Sequence, residues 1–190
     1  LDTSFPFSII QPVVHIASKT PATLRVIKKA GLDEVINTKR FFDSIAIQRH
    51  LNHPNIAKIY ELLHDDKNYY IVYESLSNET LFEYLMEYSL KAGNVPLVAK
   101  QILEVLGYLH RRNILNGYLC PENFLFASSG KLDSLKILDF SFAEKVKKRR
   151  RNCHPLCDFF ILLLSRVFAS VRVQQKFRNL VLWRSDQCLP

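Results

Sequence analysis

The sequence predicts an α+β fold, a small strand-rich part with one helix followed by a mainly helical part. Three observations carry this. Over the first 74 residues the apolar positions fall in short strand-like runs, interrupted by one helical stretch. From Thr80 onward they recur at helical spacing. Between Tyr108 and Ser141 a helix end runs into a tight polar turn, Asn116 to Asn123. Two short apolar strands follow, Phe124–Phe126 and Leu135–Leu138, and then a second turn, Asp139-Phe140-Ser141. The chain divides accordingly into 1–74 and 75–190.

A chain of 190 residues with 48% apolar content is long enough to bury a core, and its charge is too modest for disorder. No apolar run approaches the roughly 18–20 residues that span a bilayer, and no signal-peptide pattern is visible. Four cysteines in a chain this size do not make a disulfide framework, so a reducing, cytoplasmic setting is expected. The net charge is +8, and Lys145, Lys147, Lys148, Arg149, Arg150 and Arg151 supply most of it. That run reads first as a solvated loop, and second as a contact for an anionic partner or a nuclear-targeting signal.

Taken in order, Phe5–Ile16 is apolar but holds Pro6 and Pro12, which predicts one or two irregular strands. No glycine precedes Gly31, so the segment lacks the residues that let a backbone approach phosphate groups closely. Ala22–Lys29 alternates as a strand. Glu34–Leu51 reads as a helix with Phe41, Phe42, Ile45 and Ile47 on its apolar faces, ending in Leu51-Asn52-His53-Pro54-Asn55-Ile56. His53 is read there as a turn residue. Ile56–Leu63 and Tyr69–Glu74 form a hairpin across a polar turn. Thr80–Leu90 is a short helix. Val95–Arg112 is the strongest helix, with Ile102, Val105, Leu106 and Leu109 on one face. Beyond the basic run, Asp158 opens a helix over Phe159–Phe168, and Val171–Trp183 is a last amphipathic helix, expected to fold back on Phe159–Phe168 and Val95–Leu109 and to bury Trp183 at least in part. Cys153, His154 and Cys157 are too few for a zinc site.

The unit from Tyr108 to Ser141 resembles the catalytic core of eukaryotic protein kinases, an H-R-D-L-x-x-x-N loop, a hairpin and a D-F-G turn. Leu119, Asn123, Asp139 and Phe140 match that pattern, whereas Asn116, Gly117 and Tyr118 stand in place of His, Arg and Asp, and Ser141 in place of Gly. Val26-Ile27-Lys28-Lys29 resembles the kinase strand V-A-I-K-x-I-x-K. This puts Arg25 at the phosphate-pairing lysine and Thr23 at the small residue that packs on adenine; a shifted register would give the lysine's role to Lys28. The 51–56 string resembles the helix exit of calcium- and calmodulin-dependent kinases, and counting back from it makes the lysine's glutamate partner Ser44. Tyr73 then guards the pocket and Glu74–Leu76 is the hinge. The resemblance covers Ala22 to Ala169 and is strong from Leu51 to Phe140. It implies a bilobal protein-kinase-like fold with a truncated helical lobe that lacks a full activation segment.

By that resemblance the chain is a pseudokinase. Phosphoryl transfer needs a glycine loop, a Lys–Glu pair, a base and metal ligands. The degenerate positions are Arg25, Ser44, Asn116 and Tyr118, and a tyrosine is a neutral phenol that accepts a proton poorly at neutral pH. The vestige of the nucleotide pocket is Thr23, Arg25, Tyr73, Glu74, Leu76 and Leu125. The vestige of the magnesium site is Asn123 and Asp139. No cofactor is expected, with ATP and Mg weak at best. The side chains matching the family's internal stack are Gln48, Ile59, Asn116 and Phe140, and two of these are polar and need hydrogen-bond partners. The expected function is a protein-binding, scaffold or allosteric module with partners on the open lower lobe. The alternatives are a residual Ser/Thr kinase or ATP-binding domain, and a binder of acidic surfaces or nucleic acid through the basic run.

Overall fold

The structure, a computed structural model, describes residues 8–30, 32, 36–88 and 93–146. Strands β1 (Ser8–Val14), β2 (Pro21–Lys28), β3 (Ile59–His64) and β4 (Asn68–Glu74) form one antiparallel sheet in the order β1-β2-β4-β3. β1 is a single strand, paired in regular register with β2 from Ser8↔Ile27 to Val14↔Pro21, so the one or two strands expected prove to be one, and it is not irregular. Pro12 is tolerated because β1 lies at the sheet edge. On β2 the period of two sends Thr23, Arg25 and Ile27 to the buried face. Opposite them β4 places Tyr73 against Thr23 and Ile71 against Arg25.

Helix α1 (Thr38–Arg49) starts later than the periodicity suggests, because the Asn37 side chain accepts a hydrogen bond from the Lys39 N–H and sets the cap there. Phe41, Ser44, Ile45 and Gln48 are its buried face. β3 also starts late. Residues 55–57 are drawn to a different hairpin instead: Ile137 N–H donates to Asn55 O at 2.9 Å, and Ala57 N–H donates to Ile137 O at 2.9 Å. His53 does act in a turn, its Nδ1 accepting from the Asn55 N–H.

The helical part comprises α2 (Leu81–Glu87) and α3 (Val95–Arg111). Thr80 and Glu83 form a reciprocal capping box at the start of α2, and Pro96 sits in the first turn of α3, where its missing N–H costs nothing. A two-stranded hairpin of β6 (Phe124–Phe126) and β7 (Leu135–Ile137) follows a 3-10 turn at Pro121–Asn123, and β5 (Ile114–Leu115) pairs with β8 (Glu144–Lys145).

Two apolar clusters interlock through the β6–β7 hairpin. Leu125 and Leu138 pack with Ile27, Phe41, Ile45, Ile59, Ile71, Tyr73 and Leu76. Phe124, Phe126, Leu135, Ile137 and Phe140 pack with α3 through Val98, Ile102, Val105 and Leu109. The alternation of β6 thus feeds both cores. Buried polar groups join the same parts. Gln101 on α3 accepts from Asn55 Nδ2 at 3.1 Å and from Leu135 N–H at 3.0 Å, and donates to Leu132 O at 2.7 Å. No helix among the described residues is long and apolar enough to cross a membrane. Lys147–Arg151, the Cys153–Cys157 motif, Asp158 and the two expected helices with Trp183 lie outside the described residues.

Candidate functional site

The site lies where β2, α1, the end of β4 and the turn after β7 converge. Its centre is an ion pair. Arg25 Nη2 donates to Asp139 Oδ2 at 2.9 Å, and both side chains are only 2% exposed. The Asp139 carboxylate is committed on its other oxygen as well, since Oδ1 accepts from the Ser141 N–H at 2.8 Å and from the Ser141 hydroxyl at 2.6 Å. Burial pulls the Asp139 carboxyl upward, but Arg25 and the Ser141 donors outweigh it and hold it below the usual carboxylate range. Burial likewise opposes the charge on Arg25, and Asp139 with Tyr73 more than restores it, so its pKa lies above the ordinary value. Tyr73 sits against Arg25, and burial pushes its phenol up to about 12. The space among Arg25, Ser44, Gln48, Tyr73, Asp139 and Phe140 has no room for a water molecule.

Ser44, expected from the resemblance to stand at the lysine's acidic partner, lines the same space, and its hydroxyl donates to Phe41 O, one turn back on its own helix, at 2.7 Å. The two polar members of the internal stack find partners in the backbone. Gln48 Nε2 donates to Ala57 O at 3.0 Å and to Leu138 O at 3.3 Å. Asn116 Nδ2 donates to Asp139 O at 3.0 Å, and its Oδ1 accepts from the Tyr118 N–H.

Tyr118 is the residue expected from the resemblance in place of the base. Burial raises its phenol above the ordinary value, with the Cys120 side chain adding to the effect, so it is neutral. Its ring packs on Phe142, centroids 5.5 Å apart. Gly117 beside it has φ +78, and a Cβ there would lie 2.4 Å from Phe142 O. Only glycine permits this approach of the chain after Ser141 to the turn before Tyr118.

The hinge end is closed by β2 itself. The Thr23 hydroxyl accepts from the Leu76 N–H at 2.9 Å and lies 3.5 Å from Leu76 O, to which it donates. Glu74 does not face this cleft; its Oε1 takes the Lys58 N–H at 2.9 Å and the Lys136 ammonium at 2.8 Å. Leu125 is 1% exposed and belongs to the core with Tyr73 and Leu76. A cleft built to receive a ligand leaves its lining accessible before the ligand arrives. Here Thr23 is 0% exposed, Arg25 2% and Leu76 6%.

The residues fit a divalent cation poorly. Asn123 Nδ2 donates to Tyr118 O at 2.9 Å, leaving a buried Oδ1 with no hydrogen-bond partner among the described residues, as a metal ligand would be. Both oxygens of Asp139, however, are already engaged by Arg25 and Ser141. A cation needs lone pairs from both residues, and the guanidinium already supplies positive charge at one of them. Arg25 and Asp139 are 114 positions apart, and only the fold brings them together. The roles of Ser141, Gly117 and Phe142 were missed in the sequence. The one signal for Gly117 was a glycine in a turn whose family pattern has a side chain.

A sequence model of the protein kinase domain matches residues 6–160. Calcium-dependent protein kinase 5 of Plasmodium falciparum (isolate 3D7) is 33% identical over 134 residues, covering 70% of this chain and 24% of that protein. Calcium-dependent protein kinase 3 of Plasmodium yoelii yoelii is 34% identical over 123 residues, covering 63% and 22% respectively. The chain thus spans about a quarter of the length of the curated relatives it matches.

Proposed function

The chain belongs to the protein kinase domain family, and from that membership we propose that it is a non-catalytic member, a pseudokinase that works as a protein-binding or scaffold module. One observation carries the reading: the Asp139 carboxylate, the family's metal ligand, is neutralised by Arg25 in a space without room for water. Phosphoryl transfer depends on metal ions bridging the phosphates, on a positioned cation and on an acceptor for the substrate proton. In this reading Arg25 is spent on Asp139, Ser44 on its own helix and Tyr118 is a neutral phenol. What is left is a folded domain whose surface does the work, divided as 1–74 and 75–190 and read as cytoplasmic. A groove of about 620 Å³ along α3, lined by Pro96, Ala99, Leu103 and Gly107 together with His53 and Arg111, offers such a surface.

The unpartnered Asn123 Oδ1 favours a second reading, a residual metal or nucleotide binder. The test is transfer of the labelled γ-phosphate of ATP to the chain or to a generic basic peptide. The expected result is incorporation no higher than that of Asp139→Ala. Incorporation that disappears in Asp139→Ala would contradict the proposal.

A further inference from the structure

We infer that the cleft is occupied by the chain's own side chains, which clamp its two halves together. This rests on the non-catalytic reading and deepens it. Two features of the cleft are separate in space and chemistry, and each is met by a residue of the same strand. At the hinge, the polar groups that face β2 are the backbone N–H and C=O of Leu76. The Thr23 hydroxyl meets both, accepting from the N–H at 2.9 Å and facing the carbonyl at 3.5 Å. At the other end, a cation would need Asp139, and the Arg25 guanidinium meets it at 2.9 Å. The period of two along β2 is what delivers both groups to the same face. One strand therefore ties the sheet to the loop after β4 and to the turn after β7.

The polarity of this face supports the inference. The interior side of a strand packed on an apolar cluster is ordinarily aliphatic, as Ile27 is on this one. Thr23 and Arg25 are buried there at 0% and 2% exposure, and each has a specific partner across the cleft. Buried polar groups that are matched in this way fix a single arrangement of the parts they join. The closed arrangement is then the resting state of the domain, and a docking partner meets the same surface whatever the nucleotide concentration.

The test is amide hydrogen exchange at Leu76, followed by NMR on the whole chain without ligand. The Leu76 N–H is expected to be protected in the wild type. Thr23→Val, which keeps the shape and removes the hydroxyl, is expected to raise its exchange rate at least about tenfold relative to neighbouring amides. Thr23→Ser, which keeps the hydroxyl, is expected to preserve the protection and serves as the comparison should Thr23→Val fold poorly. Unprotected exchange at Leu76 in wild type and Thr23→Ser alike would overturn the clamp. So would further protection of Leu76 on adding 5 mM MgATP to the wild type. Either result is separate from the phosphate-transfer assay, which alone decides whether the domain is catalytic.

Discussion

Asp139 and Arg25 hold each other in a place where neither is tolerable alone. Breaking a buried pair from one side strands a charge, so Asp139→Asn is expected to cost about 3–5 kcal/mol in urea unfolding. The double substitution Arg25→Met with Asp139→Leu removes both charges and is expected to recover most of that loss. The sign of the pH dependence follows from the direction of the Asp139 shift. Its folded carboxyl lies below the usual range, so its contribution is complete above the unfolded value, about 4. The contribution disappears as pH falls through the lower folded value. Wild-type urea midpoints should therefore stay level, as far as this pair is concerned, from pH 8 to about 5 and drop below about pH 4. The double variant should lack that component of the drop.

Individual elements show what the sequence could and could not reveal. Helix α3 was legible because buried apolar residues, Val95, Val98, Ile102, Val105 and Leu109, repeat at helical spacing over 17 residues. The β6–β7 hairpin was legible from its short apolar runs. The start of α1 was not, since one Asn side chain outweighs several apolar positions in setting a helix end. The 51–56 string was recognisable by resemblance, but its physical reason appears only in three dimensions. Asn55 Nδ2 donates to Gln101 Oε1 and, at 2.7 Å, to Leu135 O, joining a turn, a helix and a hairpin. Asn55→Ala is expected to cost about 1–3 kcal/mol, because it leaves a buried carbonyl unsatisfied. Gly117→Ala is expected to cost at least about 1–2 kcal/mol from its positive φ alone. The contact with Phe142 O adds to this, and thermal unfolding would register the loss. The sequence assigns the site residues to family positions only through the resemblance, and it hides how they pair. A chain pattern can place Arg25 and Asp139 at family positions without saying that they are partners 114 residues apart.

For the whole molecule, the consequence is a kinase fold whose cleft is filled from within. Two apolar clusters share one hairpin, and a strand of the sheet reaches both the hinge and the Asp139 turn. A ligand that binds the folded state raises the unfolding temperature according to its concentration over its dissociation constant. The most direct measurement is therefore thermal unfolding of the wild-type chain in 5 mM MgCl₂, with and without 5 mM ATP, beside Asp139→Asn under the same conditions. Adding ATP is expected to leave the wild-type midpoint unchanged. A rise of several degrees that requires magnesium and ATP together, and that is absent in Asp139→Asn, would contradict it.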